Sequence, residues 1–148
     1  MNRSDLLTFM RIHRLAVQAS VSPSGGSQSA VVGFAVSDAF EVVFDTLSTT
    51  RKIRNLRFNP AISFVIGGLD ADDERTVQYE GIADEPRGPE LDRLKALYFA
   101  EYPDGRERER WPNLIYIRAH PTWIRYSDWN VTPPMTVEFT RERLTTGL

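Results

Sequence analysis

The amino-acid sequence predicts a mainly β protein: an antiparallel barrel of about six to eight strands, closed or nearly closed, with α-helices packed outside it. The predicted order is helix, three strands, short helix, two strands, helix and then further strands, which is not a βαβ series. Most of these strands follow one another through short turns, as in hairpins. With 148 residues and 41% hydrophobic side chains the chain can bury one core, so we expect a single domain over residues 1–148.

Composition argues against several classes of function. The formal net charge is −2, which gives no bulk attraction to nucleic acid or to a membrane surface. No apolar run approaches the ~18 residues of a transmembrane helix, and polar residues interrupt any N-terminal signal core. Cysteine is absent, which rules out disulfides, thiol nucleophiles and cysteine-ligated metals. We expect a cytoplasmic protein without nucleic-acid or membrane partners.

The first part of the chain predicts one helix and three strands. A serine–aspartate start followed by apolar residues predicts a capped helix over residues 4 to about 14. A strand is predicted over 15–21, and the turn residues 22–26 end it. An apolar run predicts a second strand over 29–36, and alternation predicts a third over 40–45.

The rest of the chain predicts two helices and five strands. A basic helix starts at about Thr50 and ends near residue 59, because Pro60 disfavours helical backbone in the residue before it. Leucines at three- and four-residue spacing predict a second helix over 89–102. The predicted strands are residues 61–66, 76–84, 114–119, 122–126 and 136–140, with a turn at His120 between the third and fourth of these.

The junction between the third strand and the basic helix carries the strongest functional signal. The strand leads into hydroxyl-bearing residues, and Thr50, Arg51 and Lys52 then begin the helix. The first N–H groups of a helix lack internal partners and its dipole favours negative charge, so this junction predicts a phosphate site. Arg51 would grip two phosphate oxygens with its planar fork, and Lys52 would add a compact charge. The alternative is that Thr50 is an ordinary N-cap and the cations form a solvated helix face.

The order of these segments resembles that of a known family. The matching stretches are His13 to Val17, the turn at residues 22–26, Ala30 to Phe34, and the block 43–59 followed by Pro60-Ala61. Over roughly residues 4–128 the chain resembles the pyridoxamine 5′-phosphate oxidase-like, FMN-binding split-barrel flavoproteins, and residues 133–148 form an unmatched C-terminal tail. The resemblance implies an antiparallel split barrel and a homodimer with FMN at the subunit interface.

The resemblance also implies roles for individual residues. Arg51 and Lys52 match the pair that binds the FMN phosphate, with Thr50 beside them, and Thr46 matches a position that contacts the phosphate and ribityl region. A second set lies on two strands. Val31, Val32 and Gly33 match the strand along the isoalloxazine edge, while Thr76 and Gln78 lie on the strand that reaches the flavin of the other subunit.

The implied activity is that of an FMN-dependent oxidoreductase acting on an unknown small molecule, with no catalytic residue identified. Authentic oxidases carry cations where this chain has residues near Ala30 and Ala35, and their C-terminal arginine–histidine signature has no counterpart after residues 126–129. We therefore expect a divergent member that does not oxidise pyridoxamine phosphate. The alternatives are a deazaflavin-dependent reductase and a non-catalytic flavin- or haem-related ligand-binding or stress protein.

Metal chemistry is not expected. His13 and His120 are the only histidines, and neither has an acidic partner at metal-ligand spacing. The acidic residues 70–74 lack the glycine and terminal glutamate of a calcium loop, so we expect a solvated loop.

Overall fold

The computed structural model describes residues 1–146. Its helices are α1 Arg3–Arg11, α2 Arg51–Phe58, α3 Gly88–Glu101, α4 Gly105–Arg108 and α5 Arg141–Thr145. Its strands are β1 Leu15–Val21, β2 Ser27–Gly33, β3 Ala35–Val36, β4 Val42–Leu47, β5 Ala61–Gly67, β6 Arg75–Asp84, β7 Leu114–Asp128 and β8 Met135–Thr140. No helix among these residues is long and apolar enough to cross a membrane.

The strands form one antiparallel, eight-stranded sheet in the order β2-β1-β5-β6-β7-β4-β3, with β8 paired to β7. β2 and β3 stand at opposite ends of this path, yet only Phe34 separates them in the chain. The sheet therefore curls round until its two ends approach each other, which is the geometry of a split barrel. The predicted fold class, strand number and flanking helices are confirmed.

The main core fills the inside of the curled sheet. Phe44, Phe64 and Tyr79, from three different strands, are buried there and pack edge to face. The hydroxyl of Tyr79 lies within hydrogen-bond distance of the carbonyl oxygens of Phe40 (2.8 Å) and Ala119 (3.0 Å). A buried tyrosine needs such a partner, because an unpaired hydroxyl inside the barrel would lower stability.

Helix α3 packs on the outside of the sheet and brings a second small core and an ion-pair network. Its Leu94 and Tyr98 bury Ala35 and Val43. The network centres on Glu41, which Arg93 and Arg118 contact at 3.0 and 3.2 Å. Burial alone would raise the pKa of Glu41, but hydrogen bonds from Arg93 and Ser37 hold it below its ordinary value. Glu41 precedes β4, whereas the predicted phosphate junction follows β4. These contacts therefore stabilise the end of β4 that lies opposite the junction.

Several predicted elements differ from the structure. Helix α1 ends at Arg11 rather than near residue 14, and the strand predicted over 40–45 is shifted to Val42–Leu47. The strand predicted over 29–36 is broken into β2 and β3, because the chain changes neighbours at Phe34: β2 pairs with β1, whereas β3 pairs with β4. The turn predicted at His120 is wrong, since β7 runs unbroken from Leu114 to Asp128. The register of β6 with β7 shifts between Glu80 and Gly81, and this irregularity accommodates Pro121, which has no N–H for the ladder.

Candidate functional site

The predicted phosphate junction is formed by the end of β4, a short turn and the start of α2. Thr50 occupies the N-cap position with extended backbone (φ −76°, ψ 157°), yet its side chain caps no helix N–H. Its hydroxyl instead donates to the carbonyl oxygen of Leu47 at 2.9 Å and lies 3.5 Å from the hydroxyl of Thr46. The first turn of α2 contains no acidic residue. Thr50 is therefore the N-cap residue by position, but it lacks the side-chain hydrogen bond of an ordinary cap.

Lys52 is a half-buried cation that has no anionic partner within the described part of the chain. Its Nζ donates to the Thr46 hydroxyl at 3.3 Å, and burial lowers the pKa of its ammonium group. Among residues 1–146, neither Lys52 nor the exposed Arg51 forms an ion pair, whereas Arg57 on the same helix pairs with Glu85 at 2.8 Å. A half-buried charge of this kind is stabilised when an anion binds beside it.

A cleft of about 400 Å³ opens beside this junction. Residues of β1, β2 and the start of α2 line it: Gln18, Ser20, Gln28, Ser29, Ala30, Thr50, Arg51 and Lys52. The lining contains two cations and no carboxylate, so its electrostatics favour an anionic ligand. A larger groove of about 760 Å³ near His13 is lined by two carboxylates, Asp70 and Asp73, and one guanidinium, Arg14, so it is less suited to an anion.

Beneath the cleft lies a buried polar cluster that the sequence analysis missed. Asn55 of α2 donates through its Nδ2 to Ser20 Oγ at 3.1 Å and to Gln28 Oε1 at 2.7 Å. Gln18 is only 1% exposed, and its Nε2 has no hydrogen-bond partner among the described residues. A signal was present in the sequence, because Gln18 and Ser20 stand two residues apart on a predicted strand and so share one face.

Val31, Val32 and Gly33 follow the cleft residue Ala30 on β2. This strand has a single neighbour, β1, and therefore a free edge. The N–H of Phe34 donates to the carbonyl oxygen of Arg14 on the side of β1. Backbone N–H groups point to opposite edges in successive residues of a strand, so the N–H of Val32 also points towards β1. The N–H groups of Val31 and Gly33 therefore point to the free edge. The Val32 side chain is buried in the core. Val31 and Gly33 are thus the main-chain donors of this triplet that a ligand could reach.

Thr76 and Gln78 lie on β6 and are separated from the cleft. Val31, Val17, Val65 and Gln78 form one row across β2, β1, β5 and β6. Three strand spacings of about 4.8 Å separate Val31 from Gln78, so the two residues are about 14 Å apart. The structure therefore does not bring Thr76 and Gln78 to the cleft of their own chain. Contact between them and a ligand in a cleft would require a second chain.

Both histidines have structural partners. Nδ1 of His13 lies 2.9 Å from the carbonyl oxygen of Phe9, and Nε2 of His120 lies 3.0 Å from Asp84. Within residues 1–146, no group of three or more histidine, aspartate and glutamate side chains has the arrangement of a metal site.

Comparison with known proteins agrees with this architecture. The heme binding protein from Mycobacterium smegmatis is similar over 97% of this chain, with a TM-score of 0.82 and 15% identity, and the chain spans 60% of its length. A pyridoxamine 5′-phosphate oxidase-related, FMN binding protein from Nostoc punctiforme has a TM-score of 0.70 and 14% identity, with 93% of this chain and 87% of that one covered. General Stress Protein 26 from Bacillus anthracis has a TM-score of 0.68 and 22% identity, with 91% and 96% covered.

At these identities the likeness is one of fold. No curated protein is a significant sequence match to the chain. The family model described as pyridoxamine 5′-phosphate oxidase matches residues 4–128, which is most of the sequence and the same extent as the resemblance noted from the motifs. The chain therefore belongs to the pyridoxamine 5′-phosphate oxidase family.

Proposed function

We propose that this protein binds FMN, with the phosphate held at the start of α2, and that it is an FMN-dependent oxidoreductase for a small molecule. The observation that carries the proposal is the pair Arg51 and Lys52, two cations without an anionic partner among residues 1–146, beside a helix end without a side-chain cap. Thr46 holds the Lys52 ammonium at the cleft. A dianionic phosphate supplies the counter-charge and accepts from the helix N–H groups.

The donor set of the cleft fits a phosphorylated flavin. FMN, when bound, supplies the redox chemistry, while the protein binds and orients it. Arg51, Lys52 and the first N–H groups of α2 would hold the phosphate. Val31 and Gly33 would offer main-chain N–H groups along β2 to the polar edge of the ring. FMN binding by the Nostoc punctiforme protein of the same fold supports this cofactor.

We further propose that two chains form the complete site. The outer apolar face, defined by Leu15, Val17, Val31 and Val65, exposes 60% of Leu15, 62% of Val31 and 41% of Val65. Contiguous exposed aliphatic side chains on a sheet face favour association. A second chain packed on this face would bring its Gln78, which stands in the same row, towards the cleft of the first.

Sedimentation of the flavin-loaded protein tests both parts of this proposal. We expect the wild type to sediment as a dimer with flavin absorbance moving with the protein. Val65→Glu should give a monomer that has lost most of its flavin, because burying an unpaired carboxylate in the interface is strongly unfavourable. Val131→Glu is the matched control, since Val131 is 47% exposed and lies outside this face. A monomeric wild type that retains flavin would contradict the interface site.

A second candidate is a non-catalytic flavin carrier or sensor. Ala30 lines the cleft and Ala35 is buried beneath α3, so neither place offers the cation that holds substrate in the authentic oxidases. Reduction of the bound flavin by a nicotinamide donor separates this candidate from the oxidoreductase.

A further inference from the structure

We propose that Gln18 is a phosphate-binding residue, an inference that rests on the proposed function. Its side chain lines the same cleft as Arg51 and Lys52. It is 1% exposed, and its Nε2 has no hydrogen-bond partner among residues 1–146. Buried amide donors are nearly always paired in folded proteins, so an unpaired one at a cleft points to a ligand that completes it.

The neighbouring side chains explain which kind of ligand group Gln18 meets. Asn55 donates to Gln28 Oε1 at 2.7 Å and to Ser20 Oγ at 3.1 Å. Each of these two oxygens therefore already accepts one hydrogen bond. The Gln28 amide nitrogen and the Ser20 hydroxyl proton remain available to donate. With Gln18 Nε2, the polar floor of the cleft presents donors.

A floor of donors beside two cations requires a ligand that is rich in acceptors. A phosphate group has three terminal oxygens and can accept from an ammonium, a guanidinium and a neutral amide at once. A ribityl hydroxyl could also accept from Gln18, but it carries no charge to match the cations Arg51 and Lys52 in the same lining. The phosphate is therefore the group that we assign to Gln18.

The substitution Gln18→Met separates a binding role from a structural one. Methionine is unbranched and of similar length, but it has no donor. Because the change removes an unpaired buried polar group, we expect the melting temperature of the ligand-free protein to rise. We expect FMN affinity to fall about tenfold to a hundredfold, the effect of losing one hydrogen bond to a charged group, with little change for riboflavin. Thermal melting measures the change in melting temperature, and flavin fluorescence titration measures the affinities for FMN and riboflavin.

Ser37→Ala is the matched control for removing a buried polar group. The Ser37 hydroxyl donates to Glu41 at 3.0 Å and accepts from its N–H at 3.1 Å, in the network beneath α3. Its loss should lower the melting temperature and leave FMN affinity unchanged, the opposite pattern to Gln18→Met. A lower melting temperature for Gln18→Met, or equal losses of FMN and riboflavin affinity, would overturn the assignment.

Inorganic phosphate as a probe distinguishes failure of this inference from failure of the proposed function. Phosphate should raise the melting temperature of the wild type more than that of Gln18→Met. If this difference holds while the wild type does not bind FMN, the cleft binds a different phosphorylated ligand and the role of Gln18 stands. If phosphate stabilises both proteins equally, the role of Gln18 is wrong even where FMN binds.

Discussion

Replacing Arg51 and Lys52 together by alanine is expected to weaken FMN binding at least about a hundredfold and to leave riboflavin binding nearly unchanged. Each charge-assisted hydrogen bond to phosphate contributes about 1.5–3 kcal/mol. Riboflavin has no phosphate, so its binding does not depend on these bonds. Folding should survive, because Arg51 is exposed and, within residues 1–146, the Lys52 ammonium is held by the Thr46 hydroxyl alone. Fluorescence titration of both flavins measures the two affinities.

The control for this prediction removes the same charge from the same helix. Arg54→Ala/Arg57→Ala takes away two cations outside the cleft lining, one of which pairs with Glu85. We expect FMN affinity to change by less than about threefold in this variant, because the screened attraction of exposed charges is weak. Equal FMN affinity in the wild type and the Arg51→Ala/Lys52→Ala variant would remove the phosphate assignment.

Phe64→Ala is expected to lower the free energy of unfolding by about 3–5 kcal/mol, the cost of truncating a fully buried phenylalanine. The ring lies inside the barrel, 2% exposed, with ring centroids 6.0 Å from Phe44 and 5.5 Å from Tyr79. Urea denaturation measures the change, read from the transition midpoint at constant slope.

Phe58→Ala is the matched control for the barrel core, since Phe58 ends α2 and is 66% exposed. Its truncation should change the free energy of unfolding by less than about 0.5 kcal/mol. A loss below about 1 kcal/mol for Phe64→Ala would mean that the three rings do not form the centre of the core.

The elements that sequence predicted well are those with strong local signals. The strand over 15–21 has the predicted bounds, and α2 and α3 differ from prediction by about a residue at each end. Turn residues, proline and leucine spacing act on the chain locally, so they predict strand and helix bounds without knowledge of the rest of the fold. The cations Arg51 and Lys52 were predicted for the same reason, whereas the role of Thr46 was implied by the family resemblance.

Other features depend on contacts between distant segments. The close packing at the end of β2 is one such feature, since a Cβ at Gly33 would lie 2.8 Å from the ring of Tyr102. β7 continues through Pro121 because the next residue, Thr122, is an extra one in the pairing opposite Glu80 and Gly81 of β6, and proline is tolerated at such irregularities. A Cβ at Gly81 would lie 2.5 Å from the carbonyl oxygen of His120, so only glycine fits there. Neither partner is close in sequence.

The polar floor of the cleft illustrates the same limit. Gln18 and Ser20 were visible as polar residues within a strand, but their meaning depends on Asn55 of α2, which meets them only in the folded barrel. The row from Val31 to Gln78 likewise appears only once the register of four strands is known.

Mass spectrometry of the ligand released from the purified protein tests FMN binding most directly. Denaturing the native protein frees whatever occupies the cleft, and its mass distinguishes FMN from riboflavin, a deazaflavin and haem. We expect FMN in near-equimolar amount with the chain, and its release from the Arg51→Ala/Lys52→Ala variant should be strongly reduced. Recovery of a deazaflavin, of haem, or of riboflavin without its phosphate would contradict FMN as the cofactor of this protein.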